Sequence, residues 1–321
     1  MGYKPPYTIT STILSLVAQI SEKLGEMKSF SKKSLMIRKK NRIKTLTGTL
    51  QIEGNTLDEK QITAFLDGKS VLGTYKEIEE VKGAVELYDN LEKLDYQKEE
   101  NLLKAHKLLM QNLLNNAGKY RVSNVGVGGK DGVTHIAPQA ELVNKLMCEL
   151  FEWLSNTKEH PLIVSSVFHY EFEFIHPFVD GNGRIGRFWQ SLILYQYKSI
   201  FSFIPIESLV RDRQKEYYKA LEDSGTLGES TPFIEFMLET ILLALEQNDQ
   251  VSDQVSDQVK KLLDILNDEW LSVNEMMEKL ELKHKATFRK NYLNPALELG
   301  YIQMKEPNSP RSPKQKYRKV I

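Results

Sequence analysis

Apolar residues recur with helical spacing through much of the chain. Between Ile9 and Leu24 they return every three or four positions, which predicts an amphipathic helix. Leu87–Leu113 is also predicted to be helical. Pro161–Ile175 and Phe188–Tyr197 are apolar over most of their length, which predicts two buried helices. The chain is therefore expected to be mainly α.

The segment from Val122 to Ile136 has a different pattern. Apolar and polar residues alternate there, and glycines occupy positions 126, 128, 129 and 132. This pattern favours a β-hairpin or a flexible surface loop.

The C-terminal part predicts a unit of its own. A polar run at 250–259 repeats every four residues without glycine, so it is either a continued helix or a linker at a domain boundary. Beyond it we expect helices over Val259–Leu266, from a capping box at Ser272 to Leu280, and over Lys285–Tyr292, then strands at Tyr301–Lys305 and Gln315–Val320. Three helices and a hairpin suggest a winged helix-turn-helix domain.

Winged helices often bind DNA, and this one is predicted to be basic where it would meet phosphate. The cations are Lys283, Lys285, Arg289, Lys290, Arg311, Lys314 and Lys316. A winged helix used only for dimer or protein contacts fits the sequence equally well, because base-reading residues are not recognisable without a structure.

Composition and charge limit the classes of partner. The chain has 321 residues, and 43 Lys and Arg balance 43 Asp and Glu, so the overall charge implies no polyanionic partner. The single cysteine, Cys148, excludes an internal disulfide, and the six histidines lack zinc-binding spacing. No apolar run reaches membrane-spanning length and no signal peptide is recognised, so we expect a cytoplasmic protein without membrane contact. A homo-oligomer is left open.

The chemistry is concentrated between His176 and Arg187, in the turn between the two buried helices. Gly181 and Gly183 permit positive φ and a close approach of backbone N–H groups to a ligand. A helix is predicted to begin near Arg184, and the N–H groups and positive dipole of its first turn attract an anion. The segment therefore predicts a phosphate site, although it lacks the Gly-Lys-Ser/Thr of a Walker loop.

Charged side chains make the prediction more specific. Arg184 and Arg187 are three residues apart on the predicted helix and can hold two groups of one polyphosphate. Asp180 would repel that ligand unless a divalent cation lay between them, and Mg²⁺ is the natural candidate. His176 can act as a base near neutral pH. Alone, His-Pro-Phe and Asp-Gly-Asn-Gly are ordinary helix-end and turn sequences, but their combination with two spaced arginines favours a functional site.

The segment from His176 to Arg187 resembles the signature of the Fic family, His-x-Phe-x-Asp/Glu-Gly-Asn-Gly-Arg-x-x-Arg, at each specified position. The resemblance implies a Fic-type helical bundle that transfers AMP from ATP to a Ser, Thr or Tyr hydroxyl of a target protein. It implies that His176 deprotonates the hydroxyl and that Asp180 holds Mg²⁺. It assigns nucleotide binding to Asp180, Gly181, Asn182, Gly183, Arg184, Ile185, Gly186 and Arg187.

A second short motif lies at Thr49-Leu50-Gln51-Ile52-Glu53-Gly54. Alone, it is a helix end with Gly54 as a left-handed cap and with Thr49 and Glu53 one turn apart. It is similar to the Ser/Thr-x-x-x-Glu-Gly/Asn inhibitory motif of the Fic family. That resemblance implies that Thr49, Glu53 and Gly54 are regulatory, and that Glu53 pairs with Arg187 and restrains the enzyme.

The resemblance also implies an organisation for the rest of the chain. Residues 122–136 would be a flap that clamps an extended segment of the protein substrate, and Arg213–Leu221 and Pro232–Ala244 would close the bundle. The expected domains are an N-terminal helical region at 1–90 with the inhibitory motif, a Fic core at 91–247, a linker or helix extension at 248–257, and the winged helix at 258–321.

Two other functions stay open from the sequence. The chain could be a DNA-binding regulator whose nucleotide site only senses ATP. It could also remove AMP from modified proteins, with Glu53 orienting the attacking water. The signature recognises phosphates, so it defines neither the base of the nucleotide donor nor the target protein.

Overall fold

The computed structural model describes residues 3–27, 35–129, 132–253, 257–266, 269–298, 300–307, 309–310 and 312–320. They form two compact units. The first comprises Met1–Glu26 and Arg42–Leu245, and the second comprises Met27–Asn41 and Glu246–Ile321. The first unit therefore combines most of the predicted N-terminal region with most of the predicted core. The division into domains stays a prediction.

The first unit consists of helices and a β-hairpin. In chain order the helices are α1 (Ser11–Glu26), α2 (Leu35–Ile52), α3 (Glu59–Leu66), α4 (Tyr75–Asp89), α5 (Glu99–Met110), α6 (Ala140–Asn156), α7 (Pro161–Ile175), α8 (Asn182–Tyr197), α9 (Ile206–Asp212), α10 (Gln214–Leu227) and α11 (Thr231–Asp253). The boundaries between the units at 41 and 245 fall within α2 and α11. Turns of 3₁₀ helix lie at Leu91–Lys93 and Ser199–Phe203.

The buried pair of helices predicted from the apolar pattern is the core of this unit. α7 begins at Pro161, which suits a first helical position because the N–H that proline lacks would have no partner there. Phe168 on α7 and Trp189 on α8 are both 0% exposed, with ring centroids 6.2 Å apart. Burying each such side chain contributes roughly 1.5–3 kcal/mol, so this packing stabilises the two helices on either side of the turn.

α2 is fixed against α9 by an approach of backbone to backbone. A Cβ added at Gly48 would lie 2.6 Å from the backbone nitrogen of Ser208 and 2.7 Å from the carbonyl oxygen of Glu207. Only glycine fits there without a shift of one helix. The packing at Gly48 therefore holds α2 close to α9 immediately before Thr49, the first residue of the predicted inhibitory motif.

The sequence prediction was wrong over Leu87–Leu113. The structure divides that stretch into the end of α4, a 3₁₀ turn and α5. α4 ends at Asp89, and the N–H of Asn90, the residue that caps the helix, donates to the carbonyl of Leu87. The Asp95 side chain then accepts a hydrogen bond from the Gln97 N–H at 3.0 Å. Such local hydrogen bonds stabilise turns, and they outweigh the apolar periodicity.

The segment at 122–136 contains the predicted hairpin. Strands β1 (Gly126–Gly129) and β2 (Gly132–Ile136) are antiparallel, with Gly126 opposite Ile136 and Gly129 opposite Gly132. The register shifts after Val127. Residues 130 and 131 of the predicted flap lie outside the described residues.

The second unit combines short helices with a small sheet. Its elements are α12 (Asp257–Ile265), β3 (Leu271–Ser272), α13 (Val273–Lys279), α14 (Lys285–Phe288), a π-helical turn at Arg289–Leu293, α15 (Asn294–Glu298), β4 (Ile302–Met304) and β5 (Lys316–Lys319). The antiparallel sheet has the order β3-β5-β4. The capping box from Ser272 to Glu275 is confirmed. Residues 254–256 of the predicted repeat and Arg311 lie outside the described residues.

These elements confirm the predicted fold class, a mainly α chain with a β-hairpin and a small C-terminal sheet. The winged-helix assignment of the second unit stays a prediction. β3 was not predicted, because two residues are too few to show an alternating pattern. In the part of the chain that the structure describes, no helix combines the length and apolar character needed to cross a bilayer.

Candidate active site

His176 is placed by the end of α7. It adopts the left-handed conformation, with φ 49° and ψ 60°, which is uncommon for a residue other than glycine. The Arg121 guanidinium fixes this end, since its Nε donates to the His176 carbonyl at 2.8 Å. The Arg121 N–H also donates to the carbonyl of Pro177 at 2.8 Å. These bonds offset the local strain and tie the start of the hairpin segment to the predicted base.

The loop after His176 is held by its own side chains. The Asn182 amide accepts from the Phe178 N–H and donates to the Phe178 carbonyl, both at 2.9 Å. Asn182 is 2% exposed, so its observed contacts are internal to the loop, and its role toward phosphate stays a prediction.

His106 on α5 packs against the same loop and hydrogen-bonds to it. Its ring stacks on Phe178 with centroids 3.7 Å apart. Its Nδ1 accepts from the Gly118 N–H at 2.8 Å, so Nε2 carries the proton and donates to the Asp180 carbonyl at 3.0 Å. Burial lowers the pKa of His106 to about 4. The ring is therefore neutral near pH 7 and has a structural role.

Gly181 and Gly183 serve different purposes. Gly181 has φ 86° and directly precedes α8, which begins at Asn182, two residues before the predicted start near Arg184. Gly183 lies in the first turn of α8 and does not use the positive φ that glycine permits. Instead, a Cβ at Gly183 would lie 2.3 Å from Oε1 of Glu53 and 3.0 Å from Nη1 of Arg187. Glycine at 183 makes room for a carboxylate from another helix.

Arg187 is bound by the end of α2. Its Nη2 donates to Glu53 Oε1 at 2.7 Å and to the Thr49 carbonyl at 3.1 Å, and its Nε donates to Thr49 Oγ1 at 3.2 Å. Gly54 follows with φ 88°. Arg187 is 3% exposed, whereas the Glu53 side chain is 29% exposed. The structure thus brings the two sequence motifs into direct contact.

Arg184 has different partners. Its Nη2 donates to Asp180 Oδ1 at 3.1 Å, and its Nη1 lies 3.3 Å from Oε1 of Glu80 on α4. The other Glu80 oxygen accepts from the Asn55 amide at 2.9 Å. Arg184 is 3% exposed, and its Nε and Nη1 find no hydrogen-bond acceptor of suitable geometry among the described residues. A bound anion would satisfy these buried donors.

The Asp180 carboxylate fits the kind of metal predicted here. It is 45% exposed, and Oδ1 accepts from the Gly181 N–H at 2.6 Å. In the described parts of the chain, no cluster of three His, Cys, Asp or Glu side chains could hold a metal ion. One accessible carboxylate suits Mg²⁺, which takes one or two protein ligands and completes its shell with water and substrate phosphate.

The remaining predicted site residues lie toward the core. Ile185 is 0% exposed and its N–H donates to the Gly181 carbonyl at 3.0 Å. At Gly186 a Cβ would lie 2.8 Å from Oε1 of Glu173, so this glycine permits a close contact between α8 and α7. Both residues contact protein groups in the structure, and their assignment to the nucleotide stays a prediction.

Sequence reasoning missed four residues that the structure places at the site: Glu80, His106, Arg121 and Glu173. A signal was present for Glu173, a charged residue in the apolar run of α7 that is only 12% exposed at its side chain. His106 lies in an apolar helical pattern that is usual for a core histidine. Glu80 and Arg121 carried no local signal, because surface acids and bases are common.

Comparisons with known proteins relate this chain to one family. Residues 93–194 match the model of the Fic/DOC family, and residues 257–319 match the model described as Filamentation induced by cAMP protein Fic-like, C-terminal domain. The Protein adenylyltransferase Fic of Nematostella vectensis is 31% identical over 201 residues, covering 58% of this chain and 44% of that protein. The Protein adenylyltransferase fic-1 of Caenorhabditis briggsae is 30% identical over 201 residues, covering 59% and 38%. The chain thus spans less than half the length of these curated relatives.

Solved structures extend the likeness to the whole chain. The crystal structure of a Fic family protein from Desulfovibrio desulfuricans is 47% identical, with a TM-score of 0.76, and the match covers 99% of this chain and 98% of that one. A fragment of Fic-1 from Caenorhabditis elegans matches with a TM-score of 0.61 and 22% identity over 76% of this chain and 73% of that one. The second likeness concerns the fold alone.

Proposed function

Because the chain belongs to the Fic/DOC family, we propose that it is a protein adenylyltransferase, which transfers AMP from ATP to a Ser, Thr or Tyr hydroxyl of a target protein. The observation that carries the proposal is the pair Arg184 and Arg187, buried one turn apart behind the loop that presents His176. Buried guanidinium groups at the start of a helix are suited to a polyphosphate. Relatives named protein adenylyltransferase support the same reaction class.

In the proposed reaction, His176 accepts the proton of the target hydroxyl as its oxygen attacks the α-phosphorus of ATP. The bond from that phosphorus to the bridging oxygen breaks, and pyrophosphate leaves with its electron pair. Arg184 and Arg187 stabilise the negative charge that develops on the leaving group. Asp180 would hold Mg²⁺, which neutralises phosphate charge when bound. The protein thus acts mainly by positioning and by charge stabilisation.

Regulation by Glu53 is part of the proposal. The carboxylate occupies the same Arg187 guanidinium that the leaving phosphates would need, at 2.7 Å. An Arg–carboxylate bond of this kind is stronger than a neutral hydrogen bond. While it persists, ATP lacks one of its two cationic partners and binds in a pose unsuited to transfer.

The hairpin segment is proposed to hold the target. It starts next to Arg121, which bonds to the His176 carbonyl, so an extended peptide paired with a hairpin strand would pass close to the base. Val122 is 96% exposed and Val179 in the signature loop is 47% exposed. Such accessible apolar side chains are suited to contact a bound segment.

The test is transfer of label from ATP to protein in the presence of Mg²⁺. We expect covalent label with the wild type and none with His176→Ala, while the affinity for ATP is retained because the phosphate-binding groups remain. A His176→Ala variant with near wild-type turnover would eliminate this base. ATP binding without any labelled protein would favour a regulator that senses ATP, and release of AMP from modified protein would favour the reverse reaction.

For the second unit we propose duplex DNA as a partner. Lys283, Lys285, Arg289 and Lys290 are all exposed on and beside α14 and the π-helical turn. No acidic residue occurs between Leu282 and Leu297, so the charged residues of this segment are all basic although the whole chain is neutral. A helix of a winged-helix unit with such a face is suited to contact phosphates.

The DNA proposal is tested with the full chain and fluorescent duplex DNA. We expect the Kd to rise steeply with salt, and the charge reversals Lys285→Glu, Arg289→Glu and Lys290→Glu together to remove binding. A matched control reverses three exposed lysines of the first unit, Lys98, Lys145 and Lys158, and changes the net charge equally. Absence of binding by the wild type at low salt, or equal loss with both triple variants, would overturn the proposal.

A further inference from the structure

α7 carries two buried glutamates, and they have different surroundings. Glu171 is 4% exposed and accepts a hydrogen bond from the Tyr3 hydroxyl at 2.7 Å. Glu173 lies beside the signature loop, with its Oε2 3.9 Å from Nδ1 of His176. The proposed base thus has a carboxyl group next to the ring nitrogen that the reaction does not need.

Glu173 is kept away from water by close packing. Its side chain is 12% exposed, and the backbone of α8 approaches Oε1 so closely that a Cβ at Gly186 would lie 2.8 Å away. Oε1 has no hydrogen-bond partner among the described residues. The charged and titratable groups that face Glu173 are His169 on α7, His176 at its end, Arg187 on α8, Glu53 in the turn after α2 and Tyr217 on α10.

Such a carboxyl group is costly to keep in the fold. Burial raises the pKa of Glu173 to about 8, although Arg187 opposes the shift. A buried acid with an unsatisfied oxygen destabilises the folded state, so its position beside a base is typical of a functional site.

We propose that Glu173 is the positioning residue of His176: its carboxylate accepts the Nδ1–H of the imidazole and leaves Nε2 to take the proton of the target hydroxyl. The same negative charge stabilises the imidazolium formed when the proton is transferred. At 3.9 Å the two groups are not yet hydrogen-bonded, and catalytic hydrogen bonds are often long before substrate binds. The inference rests on the proposed function, but its first test does not require AMP transfer.

Two neighbouring groups of this kind titrate as a pair. In the proposed reaction Glu173 is a carboxylate and His176 is a neutral imidazole with its proton on Nδ1. The pair reaches this state only above its upper apparent pKa. Glu173→Gln removes the charge but keeps an oxygen that can accept the Nδ1–H. The imidazole then loses its proton without the attraction of a nearby anion, so the upper step moves to lower pH.

The first experiment follows the His176 ring nitrogens by NMR in the nucleotide-free full chain, with His176→Ala used to assign the resonance. We expect the upper titration step to fall by about one unit or more in Glu173→Gln, since an opposite charge at this distance shifts a pKa by that amount. Glu171→Gln is the matched control, because it neutralises the other buried glutamate of the same helix. We expect no shift of His176 in that variant.

The second experiment measures transfer as a function of pH. The acid limb of kcat should move to lower pH in Glu173→Gln, with kcat at the plateau reduced and the KM for ATP unchanged, because Glu173 is not assigned to the phosphates. Glu171→Gln should keep the wild-type profile. An identical His176 titration in wild type and Glu173→Gln would overturn the inference. If the NMR shift is found but no AMP is transferred, the proposed function fails and the Glu173–His176 coupling stands.

Discussion

The two signature arginines lie one turn apart on α8 and are both 3% exposed, but their environments are opposite. The contacts of Arg187 come from the end of α2 and the turn after it: Thr49 supplies a hydroxyl and a carbonyl, and Glu53 supplies a carboxylate. Arg184 is bound by Asp180 of its own loop and lies near Glu80, and two of its nitrogens lack hydrogen-bond acceptors among the described residues. The Arg187 guanidinium is hydrogen-bonded by residues outside the signature, whereas the Arg184 guanidinium has donors that a ligand could use.

The difference indicates a division of roles. Arg184 is prepared for an anion, because a phosphate would complete its hydrogen bonding. In the proposed reaction, Arg187 must first lose the contacts with Thr49 and Glu53. We therefore expect substitutions around Arg187 to change transfer, and substitutions around Arg184 to change stability.

The largest effect is expected from Glu53→Gly. If the open state is about 1% of molecules, removing the restraint raises transfer by up to about a hundredfold. Self-modification or target modification at saturating ATP measures this. Adding Arg187→Ala should cancel the gain. Equal rates for wild type and Glu53→Gly would mean that the end of α2 is only structural.

Glu80→Gln tests the Arg184 side of the comparison. Replacing the 4% exposed Glu80 removes the carboxylate that lies 3.3 Å from the buried Arg184 guanidinium, which should cost about 2 kcal/mol of unfolding free energy, a typical cost when a buried polar group loses its partner. Denaturant unfolding measures the loss. Transfer by the folded protein should show no activation. Activation as large as that of Glu53→Gly would show that both arginines are restrained, and the proposed division of roles would fail.

The smallest effect is expected from Thr49→Ala. It removes one bond to the Arg187 Nε, at 3.2 Å, and leaves the bond to the backbone carbonyl of residue 49. A loss of about 1 kcal/mol would raise transfer roughly fivefold. Thr49→Ser keeps the hydroxyl and should behave as wild type. If Thr49→Ser raised transfer as much as Thr49→Ala does, the effect would come from lost packing and not from the lost hydrogen bond.

Local patterns of sequence predicted the fold class well. α7 occupies the predicted range because its apolar run is long, and Pro161 marks its start. The single helix over Leu87–Leu113 was wrong because the turn near Asn90 depends on hydrogen bonds that apolar periodicity does not describe. β3 depends on pairing with β5, which lies far along the chain.

The site was predictable where its residues are adjacent in sequence. His176 through Arg187 form one continuous loop and helix start. The contact between Glu53 and Arg187 joins residues 134 positions apart, and it was expected only through family resemblance. Glu80 and Arg121 reach the site through tertiary packing, which leaves no local pattern. Glu173 is only three residues from His176 in the sequence, but the distance between the two side chains depends on the left-handed conformation in which α7 ends.

The backbone contact at Gly48 affects how the proposed restraint responds to concentration. Because α2 is anchored to α9 there, Glu53 is tethered a few residues from a fixed point and can move only a short distance from Arg187. A tethered group acts at a high effective concentration, on the order of millimolar or more, whatever the amount of protein in solution. A carboxylate on a separate molecule would compete only at its bulk concentration. Dilution of the chain should therefore leave the restraint unchanged.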